Sequence, residues 1–84
     1  MNIDFKKSNG LVPVIAQEYR TNEILMLGYM NKEAFDLTIE TKIVHYFSRS
    51  KNRIWKKGEE SGHIQKLVDL RVDRDEDTIL VIVE

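Results

Sequence analysis

LVPVIAQEYRTNEILMLGYMNKEAFDLTIET, residues 11–41, decides the architecture. Its first part holds two runs rich in β-formers, LVPVIAQEY and EILMLGYM, parted by the polar RTN, and runs so spaced read as the strands of a hairpin. Pro13 has no backbone N–H to give a ladder, which suits an edge position or a strand start. The second part opens on Asn31, whose short side chain makes a good helix N-cap, and Glu33 in the first turn favours the helix dipole. Ala34, Leu37, and more weakly Thr38 and Thr41, then recur on one side, so NKEAFDLTIET is the one predicted helix.

Downstream, KIVHYFS is dense in β-branched and aromatic residues, and TILVIVE is apolar throughout. GHIQKLVDLRVD alternates, with Ile64, Lys66, Val68, Leu70 and Val72 on one face, so all three segments are predicted strands. RSKNRIWKKGEES between the first two is polar and glycine-punctuated, and it is expected to be a long loop, a feature that in small domains usually serves function. With no repeat or linker, residues 1–84 form one small α+β domain, a mostly antiparallel β-sheet with one packed helix.

At 84 residues the chain buries only about 60% of the surface it exposes when unfolded, so a partner subunit is expected. TILVIVE, with its apolar edge, is the predicted place for it. A net charge of −1 gives no global pull toward nucleic acid or anionic lipid. The absence of cysteine excludes a disulfide framework and a thiolate metal site. MNIDFKKSNG lacks the apolar core of a signal peptide, and no run is long enough to span a bilayer, so a cytoplasmic protein is expected.

The basic loop carries Arg49, Lys51, Arg53, Lys56 and Lys57 with hydroxyls at Ser48 and Ser50 and glycines at Gly58 and Gly62. Forked guanidinium donors, hydroxyls and close backbone approach at glycine together suit phosphate oxygens. A solvated basic loop pinned by Trp55 is the plain alternative. Stacking of single-stranded nucleic acid on Trp55 is weaker, because the tryptophan is alone and Glu59 and Glu60 offset the cations.

In VDRDEDTILVIVE, Asp73, Asp75 and Asp77 fall at every second position and offer several hard oxygens to a divalent cation. An EF-hand loop fails here, since Thr78 occupies the position that needs glycine. A solvated acidic turn neutralised by Arg74 is the other reading.

LVPVIAQ, LMLGYMNKEAF, YFSRSKNRIWKKGEESGHIQ and VDRDEDTILVIVE stand in the order and spacing of the phosphoribosyl-AMP cyclohydrolases of histidine biosynthesis. The chain resembles that family over essentially its whole length. The resemblance implies a homodimer with sites at the subunit interface, acting on a substrate with two phosphoribosyl groups. It implies water addition at C6 of the purine and cleavage of the bond to N1, with zinc supplying the hydroxide and magnesium on the aspartates orienting substrate. On this reading Ser48, Arg49, Ser50, Lys51, Trp55, Lys57, Gly58, Glu59, Ser61 and Gly62 bind substrate, Asp73, Asp75 and Asp77 hold Mg2+, and His63 is the catalytic residue, orienting substrate or acting as acid or base, with a locally hydrogen-bonded strand-start histidine as the plain alternative. His45 is read as a sheet residue, and Tyr19, Tyr29 and Tyr46 as packing.

Two departures stand out. Arg74 occupies the place of a cysteine that ligates zinc in the family, and the family continues into a segment with two more cysteines where this sequence ends at Glu84. A guanidinium has no free lone pair for a metal. Zn2+ is therefore not expected here, and ring opening is expected to be impaired. The alternative is an inactive nucleotide-phosphate-binding or scaffold variant of the same fold.

Overall fold

The computed structural model describes residues 3–84, so Met1 and Asn2 at the start of MNIDFKKSNG lie outside the described residues. A short 3₁₀ turn, Phe5–Ser8, precedes β1 (Val12–Glu18), β2 (Ile24–Met30), α1 (Lys32–Thr41), β3 (His45–Ser48), β4 (Arg53–Lys56), β5 (Leu67–Val72) and β6 (Ile79–Val83). The strands form a four-stranded sheet in the order β2-β1-β6-β5 and a separate hairpin, β3-β4.

The β1–β2 hairpin forms as the sequence predicts, with Val12 opposite Met30 and Ala16 opposite Met26. The sheet is mostly antiparallel as expected, through β1–β2 and β5–β6, but it is mixed, because β6 pairs with β1 in parallel from Val14/Ile79 to Glu18/Val83. That pairing also overturns the expectation that TILVIVE forms an exposed edge: β6 lies inside the sheet, and the edges are β2 and β5. Pro13 sits at a strand start, not at an edge. Pairing with β6 begins one residue later, so the missing N–H costs no bond there.

Alternation decides the faces. Val12, Val14 and Ala16 of β1 and Ile79, Val81 and Val83 of β6 point inward and are buried with Ala34 of α1 and Tyr46 of β3. Residues of the other parity, including Ile15, Leu80 and Ile82, stay half-buried, and Leu27 is 60% exposed.

The helix starts where expected, with Asn31 Oδ1 accepting from Ala34 N at 2.8 Å. Its buried residues are Ala34 and Thr38; Leu37 is half-buried and Thr41 exposed, while Phe35 packs edge-on to Phe5. The Thr38 hydroxyl donates to the Ala34 carbonyl and accepts from His45 N, each at 2.9 Å, which ties α1 to β3.

Two further expectations fail for local reasons. In β5 the register slips between Leu67 and Asp69, and the extra residue turns Val68 outward, 43% exposed. Upstream of that bulge the inward residues are Gln65 and Leu67, not Ile64 and Lys66. The presumed long loop also contains a strand: RIWK pairs with HYFS, setting Trp55 opposite Tyr46. Among the described residues no helix is long and apolar enough to cross a membrane.

Candidate functional site

The site is built on a glycine. A Cβ at Gly28 would meet the Tyr46 ring at 2.6 and 2.9 Å, so only glycine lets the β3–β4 hairpin settle on β2. Tyr46 is fully buried, donates its hydroxyl to Gln65 Oε1 at 2.6 Å, and carries Trp55 stacked on it at 5.1 Å. Burial pushes the Tyr46 phenol far above its ordinary range, so it remains a neutral donor.

On this support Gly28, Tyr29, Phe47, Ser48, Arg49, Ser50 and Trp55 line a cavity of about 530 Å³. An adjoining cavity of about 300 Å³ is lined by Ser48, Lys51, Arg53, Trp55 and Glu59, so Ser48 and Trp55 form the shared wall. The Ser48 hydroxyl stands 3.4 Å from that of Ser50 and accepts from Lys51 N at 3.2 Å, holding the hairpin turn closed. Arg53 is ion-paired to Glu59, and Arg49 lies over the Tyr29 ring with Cζ 4.1 Å from its centre.

Beyond Trp55, Lys57, Gly58, Glu59 and Ser61 border an open hollow. Gly58, at φ +85°, lies so close to the backbone of His63 that a Cβ would stand 2.3 Å from it. Gly62 N donates to the Gly58 carbonyl at 2.6 Å and closes this turn. His63 is exposed, its N–H directed to Ser61 Oγ at 3.3 Å, and it borders a cleft with Glu18, Lys57, Gln65 and Glu84.

The aspartates form the turn between β5 and β6. Asp73 Oδ1 accepts from Asp77 N at 2.9 Å and Thr78 N at 3.0 Å, and Glu76 takes the left-handed conformation. Each of Asp73, Asp75 and Asp77 offers an oxygen within 4.8 Å of the other two, a grouping that suits a hard divalent cation. The Asp77 backbone N–H foremost holds the Asp73 carboxyl below its usual range, while the hydrogen bond with Asp73 foremost raises Asp77. The expected neutraliser, Arg74, is exposed and has no ion pair among those of the described residues; Lys7 instead donates to the Asp75 carbonyl at 2.7 Å. His45 Nδ1 is engaged with the Ile43 carbonyl at 2.8 Å.

The structure thus gathers Ser48, Arg49, Ser50, Lys51, Trp55 and Glu59 around adjoining cavities. It does not bring His63 to the aspartates. The acidic turn precedes Ile79 at the start of β6, whereas the His63 cleft includes Val83 at its end, about 13 Å along the strand. Sequence reasoning missed Gly28, Tyr29 and Phe47 as cavity residues and Lys7 beside the acidic turn. Each depends on pairing across elements, and no local pattern announces it.

A family model for phosphoribosyl-AMP cyclohydrolase matches residues 26–84. The phosphoribosyl-AMP cyclohydrolase of Methanocella arvoryzae is 58% identical over 76 residues, covering 90% of this chain and 64% of that protein. The histidine biosynthesis bifunctional protein HisIE of Bacteroides thetaiotaomicron is 56% identical over 81 residues, covering 96% of this chain and 40% of that protein. The phosphoribosyl-AMP cyclohydrolase of Streptococcus thermophilus is 50% identical over 84 residues, covering 100% of this chain and 75% of that protein. The chain therefore spans between two fifths and three quarters of the length of these relatives.

Proposed function

The chain belongs to the phosphoribosyl-AMP cyclohydrolase family, and from that premise we propose that it acts as a single cytoplasmic domain in histidine biosynthesis, adding water at C6 of phosphoribosyl-AMP and breaking the bond to N1. The observation that carries this reading is the pair of cavities divided by Ser48 and Trp55, one with Arg49 and the other with Lys51. A ligand with a phosphate on each of two ribosyl arms needs two such anion sites about one aromatic wall. Forked guanidinium contacts and hydroxyls would hold the phosphates, and Trp55 would face the base.

Asp73, Asp75 and Asp77 would hold Mg2+, which when bound supplies Lewis-acid polarisation of an oxygen ligand. His63 is the residue proposed to take the proton from the attacking water, a role that a ring nitrogen of an exposed imidazole can fill. Its distance from the acidic turn within one copy favours a homodimer in which the two meet across the interface. The half-covered sheet face, with Leu27 and Ile24 each 60% exposed, favours the same arrangement.

A second reading, nucleotide binding with little or no turnover, rests on Arg74, which leaves this position without the thiolate that the resemblance implies. The two are separated by following ring opening of phosphoribosyl-AMP by absorbance, with and without a chelator, beside direct binding. Chelator-sensitive turnover supports the first reading, binding without turnover the second, and neither binding nor turnover refutes both.

A further inference from the structure

Three arginines, Arg49, Arg53 and Arg71, are held in two different ways. Arg53 is ion-paired to Glu59 and Arg71 to Asp69, so their charge is already partly answered. Arg49 has no carboxylate among the ion pairs of the described residues; its contact is the face of Tyr29, 4.1 Å from Cζ to the ring centre. The distinction matters for an anion site. A carboxylate partner occupies guanidinium N–H donors and must be displaced or shared when a phosphate arrives. An aromatic face attracts the cation through its quadrupole and consumes no hydrogen bond to oxygen.

Tyr29 is also well placed to stay still while it does this. It lies in β2 opposite Pro13 of β1, next to Gly28, whose lack of a side chain seats the Tyr46 ring. Arg49 is in the turn after β3 and is exposed, a position from which a long side chain samples many rotamers unless something restrains it. Both residues line the same cavity with Ser48 and Ser50.

We infer that Tyr29 is a positioning residue: its ring holds the Arg49 guanidinium over the cavity with its donors free for a phosphate oxygen. This rests on the proposed nucleotide-phosphate site and adds to it the residue that pre-orients its principal cation. The ring matters in this role and the phenol oxygen does not.

The test is equilibrium binding of adenosine monophosphate to the full chain, comparing wild type, Tyr29→Leu, Tyr29→Phe and Arg49→Met, with Tyr29→Leu repeated in the Arg49→Met background and thermal unfolding recorded for each. Tyr29→Leu is expected to weaken binding by about two- to fivefold, the worth of an exposed cation–π contact, while Tyr29→Phe binds as wild type. In the Arg49→Met background Tyr29→Leu should have no further effect, because the group that it positions is gone. Equal losses for Tyr29→Leu with and without Arg49 would overturn the inference, since the ring would then act by packing alone. So would a Tyr29→Phe variant as weak as Tyr29→Leu. A wild-type chain that binds the nucleotide with a Tyr29→Leu variant that binds it equally well sinks this inference and leaves the phosphate site standing. A wild-type chain that does not bind it sinks both.

Discussion

Replacing Gly28 with alanine should destabilise the domain and disturb the site in one step. The new methyl would stand 2.6 and 2.9 Å from two carbons of the Tyr46 ring, where carbon atoms prefer about 3.5–4.0 Å, so the ring must retreat by roughly 1 Å. Its retreat is opposed on two sides. Trp55 is stacked on the ring at 5.1 Å, and the hydroxyl is tied to Gln65 at 2.6 Å. Overpacking of this kind costs about 1–3 kcal/mol, and losing the buried hydroxyl bond costs about 0.5–1.5 kcal/mol. The reduced entropy of the unfolded chain returns about 0.4–1 kcal/mol. The net, about 0.5–4 kcal/mol, corresponds to a fall in Tm of roughly 2–30 °C for a domain of this size.

Thermal unfolding measures the first effect, and the emission of Trp55, the single tryptophan, reports displacement of the cavity wall. A Tyr46→Val change in the Gly28→Ala background should recover part of the loss by removing the obstacle, although Tyr46→Val alone is destabilising. A Gly28→Ala variant with Tm within about 2 °C of wild type and unchanged emission would refute the reasoning, since it would show that the hairpin yields freely.

Asp69 is held below its ordinary range first by the hydrogen bond from Arg71 and next by Leu70 N–H, so its contribution to stability is present above the unfolded value near pH 4 and lost as pH falls through the lower folded value. Asp69→Asn should accordingly lower Tm at pH 7, with the difference closing in acid; a pH-independent difference would contradict this. Titrating magnesium into the chain should give binding heat that Asp75→Asn abolishes, and identical heats for the two would reduce the acidic turn to a solvated loop. If the proposed homodimer forms through the half-covered sheet face, the wild type should sediment as a dimer and Leu27→Lys as a monomer; a monomeric wild type would refute the dimer, and a dimeric variant would move the interface elsewhere.

What the sequence made legible is local, and what it hid is not. The β1–β2 hairpin and the Asn31 cap are specified by neighbours within a few residues, and both stand where the pattern puts them. The parallel pairing of β6 with β1 joins Val14 to Ile79, and nothing near either residue encodes it. Val68 looked inward because strict alternation assumes an unbroken ladder, and a single bulge reverses the parity behind it. RIWK read as loop because two of its four residues are cations; its partner HYFS, not its own composition, makes it a strand. For the site, the basic hairpin and the aspartates were visible as chemistry. The role of Tyr29 was not, since a tyrosine in a strand looks the same whether its ring faces a neighbouring leucine or a guanidinium.

For the proposed reaction, the mixed topology sets a condition on how a site could be assembled. Parallel pairing of β1 with β6 puts the acidic turn at the start of β1, and Glu18, Val83 and His63 at the other end. A proton acceptor and a cation about 13 Å apart along a strand cannot serve one water molecule. A two-fold axis crossing the strands reverses their direction, so it would lay the His63 end of one copy beside the acidic turn of the other and create two composite sites. Complementation tests this. His63→Ala and Asp75→Asn should each abolish chelator-sensitive turnover alone. Mixed in equal amounts and allowed to exchange subunits, they form about half mixed dimers, each with one intact site, and should recover about a quarter of the wild-type rate. If both residues act within one copy, every protein in the mixture is defective and the rate stays at background.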